Sequence, residues 1–375
     1  MSTTAAQSLP IDGRCDRVCI NGRFLTQRIS GVQRFAREML LALDADLAVR
    51  AQMVGRPWVL MVPKGAADVP DLKHIAVDRV GRAPGHAWDQ LLRWHCGSGD
   101  ILVNFANSGP VLRRRSISII HDAAVYRTPG NFTRAYRRFH QLLGWLLAQR
   151  SVIGTVSQFS RSELASVLGI DSADIFVVPN GSEHLSKVVP DVAVLDKLGL
   201  QPGAYFLTIG SPAPNKNLAT AIAAMYTLPG HGVPLVVVGA VDAAVFGGGL
   251  NKAPPGVIAA GRLSDAEVKA LLQHATALVF PSLYEGFGIP PLEAMLTGCP
   301  VIASNIPPVM EVCGDAALYF PPTDVRVLAD CMVIALQRPD QMAEQAARGR
   351  QRAALYSWQN SAALLMQAVE RLETA

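Results

Sequence analysis

Short apolar runs alternate with amphipathic segments along most of the chain, and the alternation restarts once. Runs such as 117–120 and 235–238 are almost continuously apolar, which is typical of strands buried on both faces of a sheet. Segments such as 32–43 carry apolar residues at helical spacing. Strands that alternate with helices predict a parallel sheet, and a Gly- and Pro-containing stretch at 181–190 separates the two series. We therefore predict an α/β chain with two doubly wound, Rossmann-like domains facing a cleft.

The same patterns predict individual elements. We predict strands at 17–20, 58–62, 74–77, 101–105, 116–120, 152–156, 175–178, 205–209, 235–238, 257–259, 277–280 and 301–303. We predict helices at 32–43, 86–94, 131–150, 160–168, 218–226, 264–274, 291–297, 324–337, 341–355 and 358–372.

The composition supports two sizeable hydrophobic cores. Of the 375 residues, 50% are hydrophobic and 17% are charged, which excludes a disordered chain. No run of about 18 apolar residues occurs, so we expect no segment that spans a bilayer. Residues 1–14 contain no apolar stretch typical of a signal peptide, and the six cysteines form no CxxC pair. We therefore expect a cytoplasmic chain with reduced thiols.

Positive charge is concentrated in the first half of the chain. Residues 1–190 contain 23 Lys or Arg and 15 Asp or Glu, whereas residues 191–375 contain 11 and 15. The segment 131–147 combines Arg134, Arg137 and Arg138 with aromatic and leucine residues. It is either a helix that contacts an anionic membrane surface, at the inner face of the cell membrane, or an ordinary core helix with a basic face. The pattern leaves both interpretations open.

The segment 280–295, FPSLYEGFGIPPLEAM, carries the strongest functional signal. Gly286 and Gly288 free the backbone of a loop after a predicted buried strand, and two prolines follow at the start of a predicted helix. Such a helix start can accept a diphosphate. Glu285 precedes the helix and Glu293 is predicted in its first turn; carboxylates accept hydrogen bonds from sugar and ribose hydroxyls. Taken alone, each glutamate is equally compatible with a solvated acid or a favourable helix charge.

This segment, together with 298–304, 311–317 and 322–324, strongly resembles the E-x7-E region of retaining glycosyltransferases of family four, which have the GT-B fold. The resemblance implies that Glu285 contacts the donor sugar and that Glu293 holds the ribose. It also implies that the loop of Gly286, Phe287 and Gly288 binds the nucleotide sugar.

Three further segments are similar to motifs of the same family. The loop 208–218 resembles its diphosphate-binding loop and supplies Lys216, but Ser211 and Asn215 stand where the family often has an arginine. Arg262 is a candidate to compensate for that missing charge. The resemblance also implies that His121, at the end of a predicted strand, contacts the donor sugar or the acceptor.

Gly31 lies in a segment that resembles the family's glycine loop before the first long helix, where the backbone approaches the diphosphate or the acceptor. The Asp44-Ala-Asp46 sequence matches the D-x-D of metal-dependent sugar transferases, but it lies at the end of a helix that we expect to be exposed, so we reject it as a metal site. We predict no metal and no cofactor.

The resemblance implies transfer of a sugar with retention of anomeric configuration, with Glu285, His121 and Lys216 as catalytic residues. The similarity is greatest to bacterial mannosyltransferases of polysaccharide biosynthesis. It implies GDP-mannose as the donor and a lipid-linked or polysaccharide-precursor glycan as the acceptor, with no nucleic-acid partner.

The predicted domains are an acceptor-side domain over residues 1–185, a nucleotide-sugar domain over 186–355, and a C-terminal helix over 356–375 that crosses back to the first domain. Three alternatives stay open: a nucleotide-sugar epimerase, a phosphorylase, and a non-catalytic membrane-docked scaffold. A nicotinamide-dependent dehydrogenase is disfavoured because no G-x-G-x-x-G follows the early strands.

Overall fold

A computed structural model describes residues 16–50, 56–211, 213–228, 232–239 and 254–374. Two compact units are found. Unit 1 contains Met1–Ile120, Leu143–Gly154 and Ala362–Ala375, and unit 2 contains His121–Leu142 and Thr155–Ser361, with only the described residues considered in each. The domain boundaries predicted after residues 185 and 355 stay predictions. A predicted turn at 247–249 and the cysteine at position 15 lie outside the described residues.

Two sheets contain all the strands of the described chain. The first has the order β3-β2-β1-β4-β5-β6-β7, with every recorded pair parallel. Its strands are β1 Val18–Asn21, β2 Trp58–Val62, β3 Ile75–Arg79, β4 Ile101–Asn104, β5 Ser116–Ile119, β6 Val152–Thr155 and β7 Ile175–Val177.

The second sheet has the order β10-β9-β8-β11-β12-β13 and is also parallel. Its strands are β8 Phe206–Ile209, β9 Leu235–Val238, β10 Val257–Gly261, β11 Ala277–Phe280, β12 Val301–Ser304 and β13 Leu318–Phe320. The order reverses between β8 and β11, so the loops that follow these two strands open a crevice at the carboxyl edge of the sheet.

Helices connect the strands, as parallel pairing requires. They are α1 Gly31–Arg50, α2 Gly85–Leu91, α3 Ala124–Arg127, α4 Arg134–Ala148, α5 Gln158–Leu168, α6 Ala193–Leu198, α7 Leu218–Tyr226, α8 Asp265–His274, α9 Ile289–Thr297, α10 Pro307–Cys313, α11 Val325–Gln337, α12 Pro339–Ala353 and α13 Trp358–Thr374.

The cores lie where the alternating apolar runs predict them. In unit 2, strand residues Phe206 and Val279 pack with Ala224 of α7 and Met332 of α11. In unit 1, apolar side chains of β1, β2 and β4 pack against Trp88. Strands such as β1, β4 and β11 are buried at every residue, so continuous apolarity is the pattern that the fold requires there, whereas the edge strand β3 is largely exposed. The prediction of two Rossmann-like parallel sheets is confirmed.

The close approach of two strand ends in the second sheet depends on a glycine. Gly239 follows β9 with φ of +132°, and a Cβ atom there would lie 1.9 Å from the carbonyl oxygen of Gly210, which follows β8. Gly199, after α6, also has a positive φ, of +67°, but has open space around its Cα.

We expect Gly239→Ala to lower the free energy of unfolding by about 3 kcal/mol or more, because backbone strain and a steric clash act together. Gly199→Ala is the matched control and should cost only about 1 kcal/mol, because it adds strain without a clash. Urea denaturation of both variants measures the difference. Equal losses of stability in the two variants would contradict the role of this contact.

Candidate active site

Lys216 and Glu285 form an ion pair at the point where the strand order of the second sheet reverses. Lys216 Nζ lies 2.6 Å from Glu285 Oε1, and Ser282 Oγ donates to the same oxygen at 2.6 Å. The two loops follow β8 and β11, which are neighbouring strands. The side chains of Lys216 and Glu285 are 25% and 14% exposed, so the pair is accessible from the crevice and only partly screened by water.

Asparagine side chains and the backbone tie these two loops together. Asn215 Nδ2 donates to the Tyr284 carbonyl at 3.1 Å, while the Leu283 N–H donates to the Asn215 carbonyl at 2.7 Å. Asn217 has φ of +52°, a conformation that asparagine tolerates better than most residues. Its Nδ2 donates to the carbonyls of Pro281 and Pro322 at 3.1 and 2.7 Å. Asn215, which stands where the resembled family often has an arginine, therefore connects the loops.

The start of α9 presents unpaired backbone amides beside this pair. Pro290 and Pro291 have no N–H, and the Leu292 N–H donates to the Gly288 carbonyl at 3.3 Å. Within the described residues, the N–H groups of Phe287, Gly288 and Ile289 donate no hydrogen bond. These amides and the helix dipole therefore offer donors to an anion. The Phe287 ring is buried and packs edge-on against Tyr356, so Phe287 can contribute only its backbone N–H to anion binding.

The glycine loop is fixed against the segment that carries His121. A Cβ on Gly286 would lie 2.4 Å from the His121 carbonyl oxygen, so only glycine allows this approach. Ser157 and Ser160, at the start of α5, donate to the Gly286 carbonyl at 2.6 and 2.9 Å, and Ser160 Oγ also lies 3.0 Å from the His121 carbonyl. The structure thus brings the His121 backbone to Gly286, while the contact of His121 with a donor sugar or an acceptor stays a prediction. The sequence interpretation missed both serines; the available signal was Ser157 as the N-cap of α5, with Ser160 in the first turn.

Glu293 lies slightly deeper in α9 than predicted. Helix α9 begins at Ile289, so Glu293 is its fifth residue and does not lie in the first turn. The predicted position in the first turn was wrong because Gly288 caps the helix and Ile289, before the two prolines, is already helical. The carboxylate is buried and its Oε1 lies 3.1 Å from His184 Nε2. His184 is a second residue that the sequence interpretation did not identify.

Two candidate binding residues lie apart from the Lys216–Glu285 pair along the chain. Gly31 is the first residue of α1, in unit 1. Arg262 is exposed and follows β10, two strands away from β8 in the sheet. In the described part of the chain, no hydrogen bond or ion pair joins Arg262 to the pair. That Arg262 supplies the positive charge missing at Ser211 and Asn215 stays a prediction.

Asp44 has a structural role. Its carboxylate accepts hydrogen bonds from the backbone N–H groups of Lys73, His74 and Ile75 at 2.8–3.0 Å. Asp44 and Asp46 are 8% and 7% exposed, so the expectation that they lie on an exposed helix was wrong: the segment that leads into β3 covers α1 at Asp44.

One group of potential metal ligands lies within the described residues, in unit 1. Cys19, Cys96 and Asp100 bring one ligand atom each within 4.8 Å of one another. Asp100 Oδ2, however, already accepts hydrogen bonds from Arg17 Nε and the Gly97 N–H, both at 2.8 Å. This carboxylate closes a loop and pairs with a guanidinium, which explains its burial without an ion.

Asp122 is a titratable group beside the pair. Burial raises the pKa of its carboxyl above the ordinary aspartate value, and the negative charge of Glu285 raises it further. The Ala124 N–H, which donates to Asp122 Oδ1 at 2.8 Å, and the Lys216 charge act in the opposite direction. Asp122, Glu285 and Lys216 therefore share one electrostatic environment.

We expect the stability of the protein to depend on pH through Asp122. A raised pKa means that the folded protein holds this proton more tightly than the unfolded chain. The stabilising contribution is therefore present below the ordinary aspartate pKa and is lost as pH rises through the folded pKa. Asp122→Asn keeps an acceptor for the Ala124 N–H and removes the titration. Its stability relative to the wild type should increase from about pH 4 to about pH 8.

Urea denaturation across this range measures the effect. Asp171→Asn is the control, because Asp171 makes the same local bond, to the Ala173 N–H at 2.9 Å, in an exposed loop. A stability difference between Asp122→Asn and the wild type that stays constant or falls with rising pH would contradict the assignment.

Comparisons with known proteins show the family of the chain. Residues 196–352 match the model of the family described as glycosyl transferases group 1. The chain is 30% identical over 265 residues to the O-antigen chain mannosyltransferase B of Escherichia coli, an alignment covering 66% of this chain and 68% of that protein. It is 31% identical over 238 residues to the O-antigen chain mannosyltransferase RfbU of Salmonella typhimurium, covering 62% and 63%.

The fold is shared with solved structures. The sucrose-phosphate synthase from Thermosynechococcus elongatus aligns with a TM-score of 0.72 at 17% identity, over 95% of this chain and 99% of that chain. Two parallel Rossmann-like sheets and this likeness assign the GT-B fold. The matched segment 196–352 contains Lys216, Glu285 and Glu293. This chain is a glycosyltransferase that belongs to the glycosyl transferases group 1 family.

Proposed function

We propose that the protein transfers mannose from GDP-mannose to a lipid-linked or polysaccharide-precursor glycan, with retention of the anomeric configuration. The observation that carries the proposal is the Lys216–Glu285 pair beside the unpaired amides of α9, at the carboxyl edge of a doubly wound sheet. Ligands of such sheets bind at this edge.

The donor diphosphate binds at the start of α9. Its two phosphates need donors that do not reorganise when charge builds up on the leaving group. The N–H groups of Gly288 and Ile289 are fixed by the helix, and Lys216 supplies a full positive charge from the opposite loop. In the unliganded protein Glu285 neutralises that charge, so donor binding exchanges one partner of Lys216 for another.

Glu285 and His121 orient the transferred sugar. Ser282 Oγ donates to Glu285 Oε1 at 2.6 Å and keeps this carboxylate oriented when Lys216 turns to the diphosphate, which suits Glu285 to accept hydrogen bonds from sugar hydroxyls. The resemblance to family-four enzymes implies a front-face reaction in which the departing phosphate receives the proton of the attacking hydroxyl. The contribution of the protein is then positioning and stabilisation of the diphosphate charge.

The choice of mannose and of a glycan acceptor rests on the relatives, and the choice of GDP rests on the resemblance to bacterial mannosyltransferases. The two described above, from Escherichia coli and Salmonella typhimurium, carry names that specify mannosyl transfer to the O-antigen chain. A precursor of such a glycan is built on a lipid carrier, so the acceptor class implies a nearby membrane.

We expect Glu285→Ala to lower the rate of mannosyl transfer by at least about 100-fold, because it removes an interaction with the reacting sugar. Lys216→Met should give a loss of similar size by removing the diphosphate charge. Glu344→Ala, which removes an exposed glutamate of α12, is the matched control. The assay follows radiolabelled mannose from GDP-mannose into a lipid-linked acceptor. Unchanged turnover in Glu285→Ala would count decisively against the site.

The same assay distinguishes the alternatives. A transferase requires the acceptor and yields a product whose anomeric configuration, read by NMR, equals that of the donor. An epimerase would convert the nucleotide sugar without an acceptor, and a phosphorylase would require inorganic phosphate. Transfer from UDP-glucose or ADP-glucose in preference to GDP-mannose would overturn the donor assignment while leaving the transferase assignment intact.

Helix α4 is the element we propose for contact with an anionic membrane surface. Its exposed face carries Phe139, Leu142 and Trp145, whose side chains are 45%, 57% and 49% exposed. These residues recur at a spacing of three, so they form one stripe on the solvent side of the helix. Leu143 and Leu147 face the core instead. No helix in the described residues is both long and apolar enough to cross a bilayer.

The charge of α4 favours an anionic lipid surface as the occupant of this face. The helix contains Arg134, Arg137 and Arg138 and no acidic residue. Apolar side chains that insert at the headgroup boundary, together with arginines that pair with lipid phosphates, are typical of helices that bind anionic lipid surfaces. The arginines favour anionic lipid over a neutral apolar partner.

We expect Leu142→Ser/Trp145→Ser to abolish flotation of the protein with vesicles containing about 30% phosphatidylglycerol, and Arg134→Glu/Arg138→Glu to do the same. Trp94→Ser is the control, because Trp94 is 71% exposed on a different element. Flotation that is equal for all variants, or wild-type protein that stays unbound, would contradict membrane contact. Concentration-dependent dimerisation lost in Leu142→Ser/Trp145→Ser would reassign the face to a second copy of the chain.

A further inference from the structure

His184 connects Glu293 to the first residue of the C-terminal helix. His184 Nε2 lies 3.1 Å from Glu293 Oε1, and Trp358 Nε1 donates to His184 Nδ1 at 3.3 Å. The three side chains form a single hydrogen-bonded row within unit 2. The row joins residues that are 109 and 174 positions apart, so no local pattern in the sequence indicates it.

The direction of the hydrogen bonds is determined by Trp358. An indole N–H is a donor only, so His184 Nδ1 must be the acceptor and carry no proton. The neutral imidazole therefore has its proton on Nε2 and donates it to the Glu293 carboxylate. The His184 side chain is only 5% exposed, so this bond is poorly screened by water.

The loop that carries His184 is itself fixed on the start of α13. Glu183 accepts hydrogen bonds from the backbone N–H of Trp358 and, at 3.2 Å, from that of Ser182. Ser361 Oγ donates to the Pro179 carbonyl at 2.6 Å. Gly181 leaves no room for a side chain, because a Cβ there would lie 2.4 Å from Trp358 N. The position of His184 is therefore fixed by the hydrogen bonds of its ring and by the packing of its loop on the start of α13.

Glu293 retains one oxygen for a ligand. Its Oε1 is engaged by His184, whereas its Oε2 accepts no hydrogen bond within the described residues. A carboxylate held through one oxygen presents the other in a fixed direction, with less rotational freedom to lose when a ligand binds. A diol such as that of a ribose matches an acceptor of this kind.

We infer that His184 is a positioning residue for recognition of the nucleotide ribose: it holds Glu293, and Trp358 holds His184 in the tautomer that can donate. The inference rests on the proposed function, because it requires a nucleotide bound with its ribose at Glu293. It adds a determinant that discriminates ribose hydroxyls, contributed by the loop after β7 and by the start of α13.

The test compares the affinities of GDP and 2′,3′-dideoxy-GDP by isothermal titration calorimetry. His184→Phe keeps a ring and removes both hydrogen bonds, and it should weaken GDP binding by about tenfold while leaving dideoxy-GDP binding unchanged. Trp358→Phe should produce a smaller loss with the same selectivity. His184→Gln, whose amide can donate to Glu293, should recover part of the GDP affinity. His95→Phe, at an exposed histidine, is the matched control.

A double-mutant cycle separates positioning from a general structural effect. If His184 acts through Glu293, His184→Phe adds no further loss of GDP affinity to Glu293→Gln. Equal weakening of both nucleotides by His184→Phe and by Trp358→Phe would overturn the inference, as would GDP affinity unchanged in both variants. Wild-type protein that binds no nucleotide would defeat the proposed function as well, whereas ribose-dependent binding that His184 does not affect would defeat this inference alone.

Discussion

The pairing of Lys216 with Glu285 across neighbouring loops is the constraint on which the rest of the site depends. The two loops meet because β8 and β11 are adjacent in the sheet although 67 residues and two other strands separate them along the chain. Asn215 and Asn217 then lock the loops together through backbone carbonyls. Lys216 is thereby held on a fixed loop at the carboxyl edge of the sheet, where in the proposed reaction it exchanges Glu285 for the donor diphosphate and stabilises the charge that develops there.

The glycine loop of 286–288 connects this pair to the second group of candidate residues. Ser157 and Ser160 hold the Gly286 carbonyl, and the absence of a side chain at Gly286 allows the His121 backbone to approach. Asp122 follows His121 in the chain, and burial of its carboxyl raises its pKa. The loop is therefore held by the two serines on one side and by the His121 backbone on the other, and the close approach of that backbone is the reason why residue 286 is glycine.

Much of the fold was predictable from local sequence, because strands buried on both faces are continuously apolar and helices carry their caps; the capping box of Ser264 and Glu267 is one case. The failures have local causes. Helices α3, α6 and α10 were missed because they have only four, six and seven residues, too few to show a repeating apolar pattern, and the short strand β13 was missed as well. Lys216 and Glu285 were each predicted as site residues, but the ion pair between them was not. His184 and Trp358 were not predictable, because a hydrogen bond between residues 174 positions apart leaves no periodic trace.

The central claim is that a nucleotide diphosphate binds at the start of α9 opposite Lys216. A crystal structure of the protein with GDP tests it most directly. The account predicts a phosphate oxygen at about 3 Å from the N–H of Gly288 or Ile289, with Lys216 Nζ within the same distance of the diphosphate and the ribose at Glu293. GDP bound elsewhere, with the Lys216–Glu285 pair and the α9 amides free of phosphate, would contradict it.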